Sequence, residues 1–421
     1  MPSASAPAFN PNYLDDVTIT QALADGSHAP VLQAYFGASA YLELSQLARQ
    51  ALATPVNPCA AYVYLLPGLL GSKLGRTHAD QAELIWLDPA NVMNGQLTQL
   101  TKGSDPTIHA IGVMLPVSLK LALTLRTAGI PVKLYAYDWR CSIIQLGQQL
   151  ARDISHNKNN EIQIVAHSMG GLVARAALKH SGMQKVSRIV QLGTPNHGSF
   201  ALVQSLRACY PTVRKLGALD RYHSAEQLTT AVFSSFDSFY EMLPNPTITS
   251  DINFYDQNHW PVDQFTPTNK QLKANQYLSD QLATADQRCH AIIGDGLSTI
   301  SGAYKKNNAF IFQCSASGDG TVPVALAQWH GAQHWYIQEA HGQLPRNTFV
   351  CQAVVELLAK NTTQLLRSQP HAVTTNSVEY TEAELKELAD CKIRWDKLSL
   401  DERRNLLEPF ISEEFKAACY T

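Results

Sequence analysis

The stretch IVAHSMGGLVARAAL, residues 164–178, places a serine at the centre of a small-x-Ser-x-Gly pattern. Ser168 has Ala166 two positions before it and Gly170 two positions after it. Small residues are needed at these positions where a serine occupies a sharp turn from a strand into a helix, because the strand and the helix must approach closely there. Alanine is small enough for the first position. The pattern therefore makes Ser168 a candidate nucleophile.

The residues on either side of Ser168 match the local structure that such a turn requires. Residues 161–165 form a short apolar run rich in β-branched side chains, which is typical of a strand buried in a parallel sheet. Residues 170–179 carry apolar side chains at helical spacing, and Gly182 follows where the helix would end. The sequence thus predicts strand, turn and helix in the required order. A buried or helix-capping serine at an ordinary strand-to-helix junction is the alternative.

The composition predicts a well-packed globular protein without a nucleic-acid partner. The chain has 421 residues, of which 45% are apolar and 16% charged, and its formal net charge is -2. This length suits one large α/β domain with an insertion, or two domains, and the lack of a basic surplus argues against binding to nucleic acid. Eight cysteines are scattered without Cys-x-x-Cys pairs or clusters at zinc spacing, so we expect free thiols, no metal site and a reducing compartment.

The N-terminal residues and the most apolar stretch bear on localisation. Residues 1–18 lack both a charged region and a continuous apolar region, so we expect no classical signal peptide. Residues 111–125 are strongly apolar, but Pro116 and Lys120 interrupt them, which predicts a soluble helix rather than a membrane span. We therefore expect a cytoplasmic protein, or one that is exported without a classical signal peptide.

Strand and helix patterns alternate along the chain, which predicts a doubly wound, mostly parallel sheet. A cap is predicted at about residues 199–287, where the alternation lapses into an irregular stretch rich in aromatic residues, Asn, Asp and Pro. Insertions of this kind lie over the C-terminal edge of open α/β sheets, where ligands bind. Alternatively, this stretch is a surface insertion that does not cover the ligand-binding edge. The predicted core strands are residues 60–66, 131–137, 161–165, 186–192, 290–293, 309–313 and 334–338.

We predict three parts in the chain. Residues 1–55 form an N-terminal extension with a helix at 41–53, residues 56–365 form the α/β domain that contains the cap, and residues 366–421 form a C-terminal helical appendage. The appendage is predicted from a shift to charged residues and from two capping boxes, in which a Ser or Thr and a Glu three residues later cap one helix together. The two boxes are Thr381-x-x-Glu384 and Ser399-x-x-Glu402.

A nucleophilic serine needs a histidine base and an acid that orients it, and for a serine on a strand-to-helix turn the chain order is serine, acid, histidine. Asp319, in a glycine-bracketed loop after a predicted strand, is the favoured acid. Asp295, in a second Gly-Asp-Gly after a predicted strand, stays open as the alternative. His341 lies in a loop after both acids and is the candidate base. His167, directly before the serine, is expected to point away from Ser168 Oγ.

Backbone N–H groups must also stabilise the oxyanion that forms during acyl transfer. The early run PGLLGS, residues 67–72, follows a predicted strand and supplies a glycine-bounded loop. The N–H of Leu69 in this loop and the N–H of Met169, at the start of the helix after the serine, are the candidate donors. A phosphate-binding loop is the competing interpretation of this run, but the G-x-x-x-x-G-K-[S/T] spacing is absent.

Six short motifs occur along the chain, and all of them precede His341. They are Pro67-Gly-Leu-Leu-Gly-Ser72, Ile85-Trp-Leu-Asp88, Tyr137-Asp-Trp-Arg140, Ala166-His-Ser-Met-Gly-Gly171, Leu192-Gly-Thr-Pro195 and Gly318-Asp-Gly-Thr-Val322.

In this order the motifs resemble the lecithin:cholesterol acyltransferase-like branch of the α/β-hydrolases, a family of lipases, phospholipases and acyltransferases. The resemblance covers about residues 58–360. It implies the α/β-hydrolase fold and the same nucleophile, acid, base and oxyanion donors as above. It also implies a structural or pocket-shaping role for the motif that contains Asp138. Trp86 and His167, within two of these motifs, are the candidate substrate-binding residues.

The leading functional hypothesis is a serine acylhydrolase or acyltransferase that acts on lipid esters, phospholipid or acylglycerol, through an acyl-enzyme on Ser168. Apolar cap residues such as Phe233, Phe236 and Phe239 would gather acyl chains if exposed, or form the core of the cap if buried. A lipid substrate also implies transient contact with a membrane or lipid aggregate. The alternatives are a carboxylesterase without lipid preference and a non-catalytic binding module. No metal or organic cofactor is expected, because triad chemistry needs none.

Overall fold

The structure of the protein, a computed structural model, describes residues 9–78, 81–249, 252–276, 278–371 and 377–390. Within these residues, twelve β-strands form three sheets. The strands are β1 (Tyr62–Leu66), β2 (Ser72–His78), β3 (Gln81–Trp86), β4 (His109–Val113), β5 (Val132–Leu134), β6 (Ile162–His167), β7 (Val186–Leu192), β8 (Cys289–Gly294), β9 (Leu297–Lys306), β10 (Ala309–Gly318), β11 (Gln333–Ile337) and β12 (Val378–Thr381).

Sixteen α-helices lie in the same described residues. They are α1 (Asp16–Asp25), α2 (Ala29–Phe36), α3 (Ala38–Ala53), α4 (Pro89–Met93), α5 (Leu115–Thr127), α6 (Ile143–His156), α7 (Met169–Ala177), α8 (Phe200–Leu206), α9 (Pro211–Leu219), α10 (Ala225–Ala231), α11 (Asp237–Glu241), α12 (Asn269–Asn275), α13 (Leu278–Gln281), α14 (Val324–Ala327), α15 (Thr348–Lys360) and α16 (Glu382–Ala389). Short 3-10 helices lie at Pro11–Tyr13, Gln96–Leu100, Met183–Lys185, Phe233–Ser235, Gln257–His259 and His341–Arg346.

The central sheet has six parallel strands in the order β11-β8-β7-β6-β1-β5. All residues of β6 are buried, which is why this strand is almost continuously apolar rather than alternating. Helices α6 and α7 bury their apolar side chains in one cluster, whereas α5 and α15 contribute to a second cluster that packs on other residues of the sheet. The sheet is therefore covered on both faces, and the predicted α/β-hydrolase fold class is confirmed.

One predicted core strand belongs to a different sheet. Residues 309–313 lie in β10, which pairs antiparallel with β9 and β12 instead of joining the parallel sheet. Buried and more exposed residues alternate along most of β10, as expected for a strand with one face on the core and the other towards solvent. The hairpin of β9 and β10 follows the end of β8 and brings the chain back there, so that Asp319 packs against Gly294.

The apolar residues 111–125, predicted as one helix, divide between a strand and a helix. β4 ends at Val113 and α5 begins at Leu115. Pro116 stands in the first turn of α5, where its missing N–H removes no helical hydrogen bond. The proline thus marks the start of the helix instead of interrupting it. Among the described helices, none combines the length and the apolar character that crossing a membrane requires.

The N-terminal residues form helices that pack on α5. The predicted helix at 41–53 is present as α3 and begins three positions earlier, at Ala38. Apolar side chains of α1, α2 and α3 form one cluster with Leu115, Leu119 and Leu123 of α5. This packing anchors the N-terminal helices to the outer side of a helix that itself covers the central sheet.

The C-terminal residues contain a strand as well as a helix. β12 pairs with β10, and α16 follows it directly. The predicted capping box forms, because the Thr381 hydroxyl accepts from Glu384 N and the Glu384 carboxylate accepts from Thr381 N. The second predicted box, at Ser399 and Glu402, lies outside the described residues. The boundaries at residues 55 and 365 and the extent of the cap stay predictions.

A buried carboxylate caps helix α6. Glu241, at the end of α11, accepts hydrogen bonds from Ser142 Oγ at 2.6 Å and from Ile143 N at 2.5 Å. Ile143 is the first residue of α6, and the first N–H groups of a helix have no partner within it. Burial raises the pKa of the Glu241 carboxyl to about 7, although these hydrogen bonds oppose the rise.

We predict that the contribution of Glu241 to stability is lost as the pH rises through about 7. The pKa of Glu241 is higher in the folded chain than its ordinary value of 4.5, so its contribution is complete below the ordinary value and falls as the pH passes the folded value. Urea unfolding at about pH 5.5 and about pH 8 measures this effect. The fall in the unfolding midpoint between the two pH values should be smaller in Glu241→Gln than in the wild type.

Glu379→Gln is the matched control, because Glu379 lies at an exposed position of β12. This variant should keep the pH dependence of the wild type. An equal fall in midpoint in the wild type and in Glu241→Gln would contradict the prediction.

Candidate active site

Ser168 lies in a strained turn between β6 and α7. Its backbone has φ 51° and ψ -126°, a combination that residues with side chains rarely adopt and that costs on the order of 1–3 kcal/mol. The Ser168 N–H donates to the Leu192 carbonyl at 2.8 Å, and the Ser168 carbonyl accepts from Gly171 N at 3.0 Å. These bonds hold the turn, which places Oγ at the C-terminal edge of the sheet.

Close backbone contacts explain the small residues around Ser168. A methyl group at Gly68 would lie 2.8 Å from Ser168 Cβ, and one at Gly170 would lie 2.5 Å from the Pro67 carbonyl oxygen. Both distances are too short for a side chain. Ala166 is fully buried in β6, so the position two residues before the serine accommodates one methyl group.

Three side chains from distant parts of the chain form one hydrogen-bonded row. His341 Nε2 lies 2.8 Å from Ser168 Oγ, and His341 Nδ1 lies 2.7 Å from Asp319 Oδ2. Ser168, His341 and Asp319 are only 9%, 3% and 2% exposed. When Nδ1 donates to the carboxylate, Nε2 is left to accept the proton of the serine hydroxyl. This arrangement can deprotonate the serine as it attacks a carbonyl carbon.

The Asp319 carboxylate is fixed by its own loop. Its Oδ1 accepts from Thr321 N at 3.0 Å and from Val322 N at 2.7 Å. The Asp319 carbonyl accepts from His341 N at 2.9 Å. Because these bonds occupy Oδ1 and the backbone, Oδ2 is directed to the imidazole.

The carboxylate of Asp295, the alternative acid, forms hydrogen bonds to residues of the C-terminal part of the chain. Its carboxylate accepts from Arg367 Nη2 at 2.6 Å and from His371 N at 2.7 Å, and it lies 3.1 Å from His371 Nδ1. These contacts tie the chain after α15 to the end of β8. The carboxylate within hydrogen-bond distance of His341 Nδ1 is that of Asp319.

Two backbone N–H groups near Ser168 can act as donors. Met169 is the first residue of α7, where a helix leaves its N–H groups without an internal partner. Leu69 directly follows Gly68, which packs on Ser168. Among the described residues, no acceptor is paired with the N–H of Leu69 or of Met169. Both predicted donors are therefore free to bind an oxyanion.

Aromatic side chains hold the carbonyl groups of the loop that carries Leu69. Tyr137 Oη donates to the Pro67 carbonyl at 2.6 Å, and Trp86 Nε1 donates to the Leu70 carbonyl at 2.9 Å. Trp86 is fully buried and is not among the residues that line the cavity beside Ser168. The indole N–H is already used by the loop, and contact of Trp86 with substrate stays a prediction.

The motif at residues 137–140 supports the same loop. Trp139 Nε1 donates to the Ser72 carbonyl at 3.1 Å. Arg140 is buried, forms an ion pair with Asp138 at 2.7 Å and donates to the carbonyls of Leu100 and Ile108. Sequence reasoning placed this motif near the site but missed the bond from Tyr137 to the loop, since nothing in the spacing of the motif indicates a partner so distant in the chain.

His167 lies between the cavity and the backbone of His341. It lines the cavity, and its Nε2 lies 3.0 Å from the His341 carbonyl. A carbonyl only accepts, so Nε2 carries the proton. Burial lowers the pKa of His167 to about 3, with a smaller effect from His341, so the ring is neutral at neutral pH. Its hydrogen bond fixes the backbone of the candidate base.

A largely apolar cavity opens beside Ser168. It comprises about 900 Å³ when its solvent-open part is included. Its wall is formed by residues 68–71, by His341 and Gly342, and by residues of α8, α9 and α11. Of the described residues that line it, none is Asp, Glu, Lys or Arg. The cavity therefore suits an uncharged, apolar group.

Three phenylalanines of the predicted cap, named above as candidates to gather acyl chains, are buried. Phe233 and Phe239 line the cavity, whereas Phe236 packs edge-on against Trp139 with ring centroids 5.5 Å apart. None of these three phenylalanines is exposed. They form the wall of the cavity and the core behind it rather than an exposed apolar surface.

Metal-ligating residues are not clustered in the described part of the chain. No group of three or more His, Cys, Asp or Glu side chains there could hold a metal ion. The six cysteines within these residues are free thiols. Cys391 and Cys419 lie outside them.

Comparison with known proteins gives one family match. The family model of lecithin:cholesterol acyltransferase matches residues 129–387, more than half of the chain. This range contains Ser168, Asp319 and His341, whereas the loop with Leu69 precedes it. A comparison with curated protein sequences gives no significant match.

Similar solved structures include two forms of a lipase and a phospholipase. The propeptide form of the Bacillus licheniformis lipase BlEst2 is 17% identical with a TM-score of 0.38 over 74% of this chain and 53% of that chain, so the match spans about half of that protein. The mature form is 15% identical with a TM-score of 0.37 over 72% of this chain and 96% of that chain. Phospholipase PlaB from Legionella pneumophila is 11% identical with a TM-score of 0.29 over 85% of this chain and 64% of that chain.

We predict that Asp319 and Asp295 respond differently to removal of their charge. Asp319→Asn cannot hold His341 in the tautomer that accepts the serine proton, so covalent labelling by a fluorophosphonate should slow by about a thousandfold or more. Asp295→Asn leaves the row of Ser168, His341 and Asp319 intact and should label at close to the wild-type rate. The rate of labelling of the purified protein measures both effects.

Circular dichroism shows whether each variant is folded. The prediction fails if folded Asp319→Asn labels as fast as the wild type. It also fails if folded Asp295→Asn loses labelling while Asp319→Asn retains it.

Proposed function

The chain belongs to the lecithin:cholesterol acyltransferase family, and on this basis we propose that it is a serine acylhydrolase or acyltransferase acting on lipid esters, phospholipid or acylglycerol. One observation carries the proposal: the hydrogen-bonded row from Ser168 through His341 to Asp319 borders an apolar cavity whose described lining residues include no Asp, Glu, Lys or Arg. The row supports covalent catalysis by the serine, and the cavity supports an apolar acyl group as its substrate.

The first half of the reaction attaches the acyl group to Ser168. Oγ attacks the ester carbonyl carbon while His341 Nε2 takes the hydroxyl proton, and Asp319 stabilises the resulting imidazolium. The carbonyl oxygen becomes an oxyanion that accepts hydrogen bonds from the N–H groups of Leu69 and Met169. Collapse of this intermediate breaks the bond to the alcohol, which leaves with the proton from His341.

The second half transfers the acyl group to an acceptor. Water or an alcohol gives its proton to His341 and attacks the acyl carbon, and Ser168 then leaves with that proton. Water as acceptor yields a fatty acid, and an alcohol yields a new ester. The hydrogen bond from His167 to the His341 carbonyl keeps the base in position through both halves.

The lining of the cavity supports a fatty acyl chain as the group that is bound beside Ser168. An apolar chain gains about 25 cal/mol for each Å² of its surface that leaves water. The described lining residues offer no Asp, Glu, Lys or Arg to a charged head group, so the head group would stay at the opening. Substrate would then be drawn from a membrane or a lipid aggregate, with transient contact to its surface.

A first test measures covalent labelling and ester hydrolysis together. We expect Ser168→Ala to abolish fluorophosphonate labelling, since its Oγ is the attacking atom. We expect Ser168→Ala and His341→Ala each to lower kcat for p-nitrophenyl ester hydrolysis by about 10⁴-fold or more. Ser155→Ala is the matched control, because Ser155 lies at an exposed position of α6 and should label normally.

The substrate class is tested with the same wild-type protein. A lipid enzyme should have a higher kcat/KM for long-chain than for short-chain p-nitrophenyl esters, and it should release fatty acid from phospholipid or acylglycerol dispersions. A preference for acetate over long chains would indicate a carboxylesterase without lipid preference. Full labelling and hydrolysis by folded Ser168→Ala would refute the proposed nucleophile.

A further inference from the structure

Helices α8 and α9 each turn one face to the cavity. Ala201 and Leu202 of α8 line it, as do Val213 and Leu216 of α9. Val213 and Leu216 are three positions apart and therefore share one face of their helix. All four side chains are buried. An acyl chain in the cavity would lie against both helices.

An arginine at the end of α8 joins this wall to the C-terminal residues. Arg207 has a side chain only 3% exposed, and it donates two hydrogen bonds to Asp263 and two to Glu382 at 2.6–3.0 Å. The rings of Phe265 and Phe310 lie 5.3 and 5.8 Å from the guanidinium. Glu382 is the first residue of α16. Because loss of either carboxylate would leave part of a buried charge unpaired, the positions of α8 and α16 are coupled.

A second arginine joins α9 to the same C-terminal helix. Arg214, which follows Val213 on α9, donates to Asp390 at 2.7 Å and pairs with Glu226 of α10. Lys386 of α16 lies 3.6 Å from Glu226. The helices α9, α10 and α16 are therefore linked by one network of charges, which includes no residue of the cavity lining.

Residues 377–390, called here the C-terminal strap, are themselves firmly attached. β12 of the strap pairs with β10, and Leu385 of α16 is buried in the large apolar cluster that also contains Val213 and Leu216. The strap thus pairs with the antiparallel sheet through β12 and reaches the wall helices through Glu382 and Asp390, at the two ends of α16.

We propose that the C-terminal strap determines which acyl-chain lengths the cavity accepts, by fixing α8 and α9 from the side opposite to the substrate. This inference rests on the proposed acyl-ester function. A fitted apolar pocket distinguishes chains that differ by one methylene by about tenfold or more, and this discrimination requires a wall that does not move. Release of the strap frees the wall and broadens the range of chains that react.

The wall is tested directly at Leu216. Leu216→Phe adds volume on the cavity face of α9, so kcat/KM for long-chain p-nitrophenyl esters should fall by about tenfold or more. Because the acetate ester needs less of this space, its kcat/KM should fall less than that of the long-chain esters.

The strap is tested at Glu382 and Asp390, which hold α8 and α9 without lining the cavity. Glu382→Gln and Asp390→Asn should each flatten the dependence of kcat/KM on chain length, from acetate to palmitate, by about threefold or more. Hydrolysis of acetate and fluorophosphonate labelling should be unchanged. Glu379→Gln is the matched control, because Glu379 lies in the same strap but contacts Tyr304 and Gln313 of the antiparallel sheet.

The outcomes separate the two proposals. A chain-length profile in folded Glu382→Gln and Asp390→Asn that equals those of the wild type and Glu379→Gln overturns the role of the strap, whatever Leu216→Phe does. If Glu382→Gln does not fold, Asp390→Asn decides alone, since the pair that it breaks is more exposed. If the proposed acyl-ester function is wrong, the wild-type protein will not be labelled by the fluorophosphonate and will hydrolyse none of the esters.

Discussion

The positive φ of Ser168 is the constraint on which the candidate active site depends. At φ 51° the serine projects Oγ out of the sheet edge, and the strain of this backbone is held by the bond from Ser168 N to the Leu192 carbonyl at the end of the adjacent parallel strand. The turn is therefore held by the sheet itself. The N–H of Met169 and the approach of Gly68 are both defined relative to this turn, so the candidate oxyanion donor and the candidate nucleophile are positioned by one feature of the backbone.

Glycines at the ends of two neighbouring strands, β7 and β8, provide the room for His341 and Asp319. A methyl group at Gly193 would lie 3.0 Å from His341 Nδ1 and 3.2 Å from Asp319 Oδ2. A methyl group at Gly294 would lie 2.5 Å from Asp319 Cβ. Gly193 also has φ 60°, which a residue with a side chain adopts only with strain. Asp319 and His341 can lie so close to the sheet edge because Gly193 and Gly294, where β7 and β8 end, have no side chain.

Charge is distributed unevenly between the two sides of the cavity wall. Among the described residues, the lining carries no carboxylate, ammonium or guanidinium group, whereas Arg207 and Arg214 form ion pairs away from the cavity lining. Asp295 likewise uses its buried charge to hold the chain after α15. Ionic interactions thus shape the cavity from outside, and they leave its interior suited to apolar groups.

The sequence by itself determined the α/β fold class and the turn at Ser168, because periodicity and turn residues act over neighbouring positions. It also named Asp319 and His341, which the structure brings within hydrogen-bond distance of each other and of the serine. It left Asp319 and Asp295 as alternatives, since both follow a strand in a Gly-Asp-Gly setting. Only the tertiary structure decided which of them lies against His341, through the return of the β9–β10 hairpin to the end of β8. The burial of Trp86 and the contacts of the C-terminal strap were decided in the same way, because contacts between residues far apart in the chain leave no local pattern.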